Sequence, residues 1–389
     1  MKSWVRALLI LVIFVVCCCS CKKESSYQPP AGGTDEKITG SVLAGGEIEL
    51  ATVPGDYIYR SIQMGRCTYL LKYHILSGTV STVCQDPFCM HETMTCPFAI
   101  SDSQLAAIGN VLYYAKMQDG ISSIYSYNGE DMKTERVYTG KGSIFGIYMY
   151  QYDLYFSDSE QIDLEQSHRV FYRLDTETME KTIIMESDDN MQIYEIKNRQ
   201  IIWRKGRDSY FVSDLNGEDL RTYSKKDRVY GKYSYREEFN GTQPTSFENY
   251  IFDLYRTDLE TGEDELVAKD IGPTYFYGDK ILYFKSTGKT LTHTDPETGN
   301  KYYDYFGGNV YVMNLDGSDN HLLCHADDCW INSMSTSRNN ELSCGDWVGI
   351  ILKNYYEDDF GEEMYCTTDM LIVNLVTGEY TVARYNPFE

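Results

Sequence analysis

Short runs of alternating apolar and polar residues fill most of the chain, and each ends in a turn signal. Val111-Leu112-Tyr113-Tyr114, Leu154-Tyr155-Phe156 and Ile281-Leu282-Tyr283-Phe284 are typical. Period-two alternation marks strands with one face buried, and Tyr, Val and Ile suit a pleated, half-buried surface. No long stretch has a helical period. A second type of run recurs along the chain and closes on Asp, Asn, Thr or Gly. It occupies residues 70–78, 123–129, 170–178, 210–217, 252–262, 310–317 and 371–378. From Gly78 to Gly378 six steps take about 50 residues each, the period of a β-propeller blade.

The physical logic is that a thin sheet cannot cover both its faces alone. Packing it between two neighbours buries both, and closing the ring protects the edges. Asn216-Gly217 and Asp316-Gly317 are dipeptides that supply positive φ to a tight turn between strands. The expectation is an all-β, seven-bladed propeller over residues 38–389, with six or eight blades as alternatives and two smaller β domains as the competing architecture. Residues 37–53 are expected to add an outer strand that closes the ring.

Composition supports an ordered, acidic, tyrosine-rich body. The 389 residues include 58 acidic and 35 basic ones, 35 Tyr, 15 Phe and 4 Trp, and the formal net charge is −23. That balance argues against nucleic acid, whose phosphates need a basic footprint, and against a polybasic membrane patch.

The N-terminus changes the picture from fold to address. Lys2 and Arg6 precede an uninterrupted apolar run from Ala7 to Val16, too short to span a bilayer but right for a signal core. The run ends in Cys17-Cys18-Cys19-Ser20-Cys21, which resembles a bacterial lipobox. That resemblance implies cleavage after residue 20 and acylation (palmitate) at Cys21, with Cys19 the alternative. Residues 21–37, with Pro29-Pro30 and Gly32-Gly33, read as a flexible tether. The expected location is the outer face of a bacterial cell membrane, where a strongly negative body is held off anionic headgroups.

The turns Leu315-Asp316-Gly317-Ser318-Asp319-Asn320 and Asn128-Gly129-Glu130-Asp131 follow Tyr-rich strands. They resemble those of bacterial extracytoplasmic propellers, related to the TolB-like and low-density-lipoprotein-receptor-type (YWTD-like) modules. The resemblance covers most of residues 50–385 and implies fold, not function. The Tyr-Trp-Thr-Asp tetrapeptide itself is absent. Residues 84–98 are similar to a segment of uncharacterised lipoproteins from anaerobic Gram-positive bacteria, a family with no assigned reaction.

In a propeller whose strands run A to D from axis to rim, B–C loops and D–A connections share one face. The long insertions, at 157–168, 236–249, 285–308 and 356–364, all fall between second and third strands, the last three in consecutive blades. They carry Phe239, Tyr302, Tyr303, Tyr305, Phe306, Tyr356 and Phe360 among many carboxylates. Aromatic rings beside acids suit a protein, peptide or stacked glycan ligand, so this long-loop face is the expected binding surface.

Eight cysteines lie beyond the expected anchor. Cys84-x4-Cys89 and Cys324-x4-Cys329 share a spacing, each after the last strand of a repeat. An even number in an exported chain reads first as disulfides. The rival is zinc: Cys84, Cys89, His91 and Cys96 offer three thiolates and one imidazole, a legitimate tetrahedral set. Cys324, His325 and Cys329 lack an obvious fourth ligand unless Asp327 or Asp328 serves. Free thiols are the third state. A Cys89–His91 nucleophile is disfavoured, because neighbours at that spacing rarely present a base to a thiol and no orienting group stands out.

No Gly-rich phosphate loop, His-Glu-x-x-His or Gly-x-Ser-x-Gly motif occurs. The leading reading is a non-catalytic, lipid-anchored binding propeller. The alternative is an extracytoplasmic carbohydrate-active enzyme on the same fold, which needs two carboxylates facing each other across a pocket. A purely structural envelope protein is a third possibility.

Overall fold

The chain, seen in a computed structural model, is described over residues 55–387. Excepted are 65–66, 93–94, 101–104, 119–120, 163–166, 198, 208, 224–227, 231, 241–250, 273, 295–298, 300, 327–329, 332–342, 358–360 and 362. The expected signal, the Cys21 anchor, the tether and the ring-closing strand at 37–53 lie outside the described residues.

Seven antiparallel sheets follow one another along the chain, each built from consecutive strands. Blade 1 holds β1 (Tyr57–Met64), β2 (Cys67–His74) and β3 (Val80–Thr82). Blade 2 holds β4 (Leu105–Ile108), β5 (Val111–Gln118), β6 (Ile121–Asn128) and β7 (Thr134–Thr139). Blade 3 holds β8 (Ser143–Tyr150), β9 (Asp153–Gln161), β10 (Ser167–Asp175) and β11 (Lys181–Ser187). Blade 4 holds β12 (Met191–Lys197), β13 (Gln200–Lys205), β14 (Ser209–Asp214) and β15 (Arg221–Thr222). Blade 5 holds β16 (Arg228–Tyr230), β17 (Tyr233–Phe239), β18 (Phe252–Asp258) and β19 (Asp264–Ile271). Blade 6 holds β20 (Thr274–Tyr277), β21 (Lys280–Thr294), β22 (Lys301–Asn314) and β23 (His321–Ala326). Blade 7 holds β24 (Trp330–Ile331) and β25 (Ser343–Cys344), both paired to β26 (Trp347–Glu357), then β27 (Glu363–Asn374) and β28 (Tyr380–Ala383). The protein is an all-β, seven-bladed propeller.

The core lies in the seams. Leu282, Val310 and Val312 of blade 6 bury against Val348, Ile350 and Leu371 of blade 7. Comparable clusters join blades 1 and 2, 2 and 3, 3 and 4, and 5 and 6. Ile58, Leu71 and Tyr73 of blade 1 pack on Ile351, Met370 and Ile372 of blade 7, and this contact closes the ring. Among the described residues the closure is made by packed faces, not by a strand shared between the chain's two ends.

The tyrosines acquire a specific role here. Their rings fill seams while their hydroxyls reach main-chain oxygens of a neighbouring blade, which satisfies a polar tip inside an apolar layer. Tyr59 donates to Asn110 O at 2.9 Å, Tyr148 to Ile193 O at 2.7 Å and Tyr235 to Leu315 O at 2.7 Å.

The repeated turns also have a common chemistry. Asp175 Oδ1 accepts from the amides of Glu177 and Thr178, Asp258 Oδ1 from those of Glu260 and Thr261, and Asn374 Oδ1 from those of Val376 and Thr377. These Asx turns explain why the third strand of a repeat ends in Asp or Asn. Several of the repeated turns lie close on the last strand of the blade before. A Cβ at Gly317 (φ 80°) would stand 2.6 Å from Val267 O, and one at Gly217 (φ 81°) 2.2 Å from Ile184 O. Only glycine satisfies both the backbone sign and the close approach.

Candidate metal centre and the hairpin face

Residues 83–104 link the last strand of blade 1 to the first of blade 2, on the face that also carries the second-to-third-strand hairpins. The segment is built from local turns. Asp86 caps the first: its Oδ1 accepts from Phe88 N at 2.9 Å and its carbonyl from Cys89 N at 3.1 Å, which folds Cys89 back toward Cys84. His91 then takes a positive φ of 54°, and its carbonyl accepts from Thr68 N of β2 at 2.9 Å. Glu92 O receives the amides of Thr95 and Cys96 at 3.0 and 2.9 Å, which returns the chain a second time. Lys116 of β5 holds the far end through Cys96 O at 2.7 Å and Ala99 O at 3.3 Å.

The outcome is a cluster. One ligand atom each from Cys84, Cys89, His91 and Cys96 lies within 4.8 Å of all the others. Cys96 Sγ is 3.8 Å from His91 Nδ1, and His91 N donates to Cys89 Sγ at 3.4 Å. Cys84 and Cys96 are buried, Cys89 and His91 half-buried. Burial raises the Cys84 thiol and pushes Cys96 up to about 12, so without a cation both are neutral. A bound divalent metal reverses that preference and takes the thiolates. The donor set fits zinc: Zn–S is about 2.3 Å and Zn–N about 2.0–2.1 Å, so a contraction of roughly an ångström closes a tetrahedron. These four sites are thiols and an imidazole brought together, where spacing alone left bridge and metal open. Asp86 and Lys116, which shape the cluster, carry no sequence signal of that role.

The second cysteine pair differs in setting. Cys324 packs in the apolar core between blades 6 and 7, burial pushes its thiol up to about 12, and Cys329 lies outside the described residues. His325 Nδ1 is 2.8 Å from Asn309 Oδ1.

The long insertions of blades 5, 6 and 7 are hairpins of consecutive blades, as the repeat implies. The stretch at 285–308 is not a loop, however. β21 and β22 stay paired to Thr294↔Lys301, with one register shift between Ser286 and Lys289, whereas their outer neighbours stop at Thr274↔Tyr283 and Gly308↔Ala326. A two-stranded ribbon therefore extends past the four-stranded blade. Register puts Tyr302 opposite His293, Tyr303 opposite Thr292, Tyr305 opposite Thr290 and Phe306 opposite Lys289. Thr290 to Thr294 and Tyr302 to Tyr305 are strand formers around a turn, a signal by which the ribbon could have been foreseen. In blade 7 the pairing likewise extends to Glu357↔Glu363. Tyr356 is half-buried and its hydroxyl donates to Asp369 Oδ1 at 2.6 Å, while Phe360 lies outside the described residues. Phe239 sits at the end of β17, edge-on to Phe252 at 6.1 Å.

The buried carboxylates are committed to structure. Asp158 accepts from Tyr138 Oη and the amides of Lys141 and Gly142 at 2.8, 2.8 and 2.9 Å. Asp369 accepts from Asn354, Tyr356 and the amide of Tyr385.

No protein-family model matches the chain, and no curated protein matches it. Solved structures with similar folds include the β-propeller domain of the Trilobed protease from Pyrococcus furiosus (11% identity, 86% of this chain and 97% of that one, TM-score 0.41). TolB from Acinetobacter baumannii is 12% identical over 71% of this chain and 66% of that one, TM-score 0.32. Oligogalacturonate lyase from Vibrio parahaemolyticus is 11% identical over 83% and 90%, TM-score 0.37. TolB-like propellers thus stand among the structural neighbours beside enzymes, and at this identity the likeness is one of fold alone.

Proposed function

We propose that this seven-bladed propeller is a non-catalytic binding module, anchored through Cys21 to the outer face of a bacterial cell membrane. It takes an extended peptide segment, protein or glycan on its hairpin face. The observation that carries the reading is the β21–β22 ribbon, which extends beyond the blade that supports it. Its sequence from Tyr302 to Phe306 is rich in strand formers and aromatic residues, the composition that suits a stacked or strand-paired ligand. The commitment of Asp158 and Asp369 to hydrogen bonds within the fold supports binding over carbohydrate chemistry. The test is to shorten the ribbon by replacing residues 289–306 with a two-residue turn, then compare both proteins on glycan arrays and peptide libraries. Ligands captured by the parent and lost by the shortened protein support the reading. Equal capture by both sinks it, as does turnover of an oligosaccharide.

We further propose that Cys84, Cys89, His91 and Cys96 hold one zinc ion. Four protein ligands leave no open position, so the ion serves structure, not Lewis-acid chemistry. Native mass spectrometry of protein purified with reductant is expected to find one zinc per chain, and none in Cys89→Ser. Acyl modification at Cys21 is testable by mass spectrometry of the membrane fraction.

A further inference from the structure

The connector that holds the cysteines is exceptional within this ring. It runs over residues 83–104, whereas the corresponding links between the later blades span 140–142, 188–190, 223–227, 272–273 and 327–329. Among its described residues none belongs to a named strand, and connections this long are uncommon in compact domains. Its own buried cluster is small: Cys84, Cys96 and Ala99, with Cys89 and Phe98 packed against them. Three of those five residues are thiols of the metal set.

The same segment turns its larger apolar side chains outward. Phe88 is 89% exposed and Met90 is 70% exposed, on either side of Cys89. An unligated loop gains more by burying a phenyl ring and a thioether than by burying thiols, since full burial of Phe or Met is worth about 1.5–3 kcal/mol each. Hydrophobic collapse alone would therefore arrange the loop the other way round. What favours thiols inside and Phe88 and Met90 outside is a cation that takes the sulfurs, because metal binding free energy is folding free energy in such segments.

We infer that the metal is the folding determinant of this connector, and that it sets whether Phe88 and Met90 are displayed on the hairpin face. The inference rests on the zinc reading above. Removal of the ion loosens residues 84–96 and lets the two side chains turn inward, while the ring persists. The connector gives one seam, that of blades 1 and 2, three residues, Val83, Phe98 and Ile100, all outside 84–96, and its far end stays tied by Lys116 and by Ser61 Oγ to Ile100 O at 2.5 Å.

The experiment is hydrogen exchange on the whole mature protein with zinc bound, after chelation under reductant, and after zinc is restored. Met90 oxidation by dilute peroxide is followed in parallel. Amides in 84–96 are expected to exchange at least tenfold faster without zinc and to recover on its return, while β13 and β21 are unchanged and Met90 oxidises more slowly in the apo form. His91→Ala should mimic chelation, and His91→Cys, which keeps four ligands, should restore protection. Zinc bound at one per chain with identical exchange in holo and apo protein overturns this inference and leaves the zinc reading intact. Absence of zinc from protein kept reduced throughout overturns both.

Discussion

The hydroxyl of Tyr73, on the first blade, lies 2.6 Å from the main-chain oxygen of Thr368, on the last. Arg60 reaches the neighbouring Thr367 through its carbonyl and its hydroxyl. These contacts join segments almost 300 residues apart in a ring whose ends, among the described residues, share no strand. Tyr73→Phe leaves a buried carbonyl without its donor and is expected to destabilise the protein by about 1–3 kcal/mol. Denaturant unfolding checks the size, and hydrogen exchange in β1 and β28 checks that the loss is local to the closing seam. A change confined to other seams would contradict this account of closure.

Gly317 and Gly262 separate two reasons for glycine. Both have positive φ, 80° and 75°, but a Cβ at Gly262 meets nothing within 4 Å, while one at Gly317 meets Val267 O at 2.6 Å. Gly262→Ala is expected to cost about 1 kcal/mol, the backbone preference alone. Gly317→Ala should cost clearly more, because a neighbouring blade must move. Thermal midpoints of the two variants give the comparison, and equal losses would rule out the close approach.

Asp158 is a buried carboxylate with three donors, Tyr138 Oη from the last strand of blade 2 and the amides of Lys141 and Gly142 from the link to blade 3. Asp158→Ala strands a tyrosine hydroxyl and two amides, and is expected to destabilise by about 2–5 kcal/mol. Asp158→Asn keeps one acceptor oxygen and should recover part of the loss. If the residue were a catalytic acid, stability would change little and an activity would disappear.

Acid should weaken the turn face. The Asp175 carboxyl is held below its usual range by the amide of Thr178, that of Asp258 by Lys232, and that of Asp316 by the Ser318 hydroxyl. A carboxyl depressed in the fold stabilises it above the unfolded value, and the contribution is lost as pH falls through the folded one. Stability is therefore expected to decline from about pH 4 downward. Asn374 accepts the same two amides without a titrating group. Converting Asp175, Asp258 and Asp316 together to Asn should flatten the acid limb of a stability–pH curve, and an unchanged slope would exclude these turns as its source.

Much of the architecture was legible because a repeated unit repeats its physics. The Asp/Asn-to-Gly endings of the third strands are visible at intervals of about 50 residues, and they mark the Asx turns. The tyrosines were legible only as strand formers, since nothing in Tyr73 or Tyr235 says which neighbour's carbonyl its hydroxyl will meet. The insertion at 285–308 reads as loop if only its length is weighed, and as ribbon once the strand formers flanking residues 295–299 are weighed too. At the cysteine cluster the ligand set could be read from spacing. The convergence of its members could not, because spacing does not say whether Asp86 and Glu92 will turn the chain so that four donors meet. Asp158 and Asp369 gave no signal, as single acids in strands of a chain with 58.

The glycine turns give the ring a sense of direction. Gly78 lies on Thr381 and Val382, Gly217 on Ile184, Gly317 on Val267 and Gly378 on Leu323, in each case the outer strand of the preceding blade. At these four joints the blades overlap like tiles, each lapping the one before. A blade that lifts at such a joint uncovers the outer strand of its predecessor and withdraws the support beneath the turn of its successor, so its two neighbours are loosened in different ways.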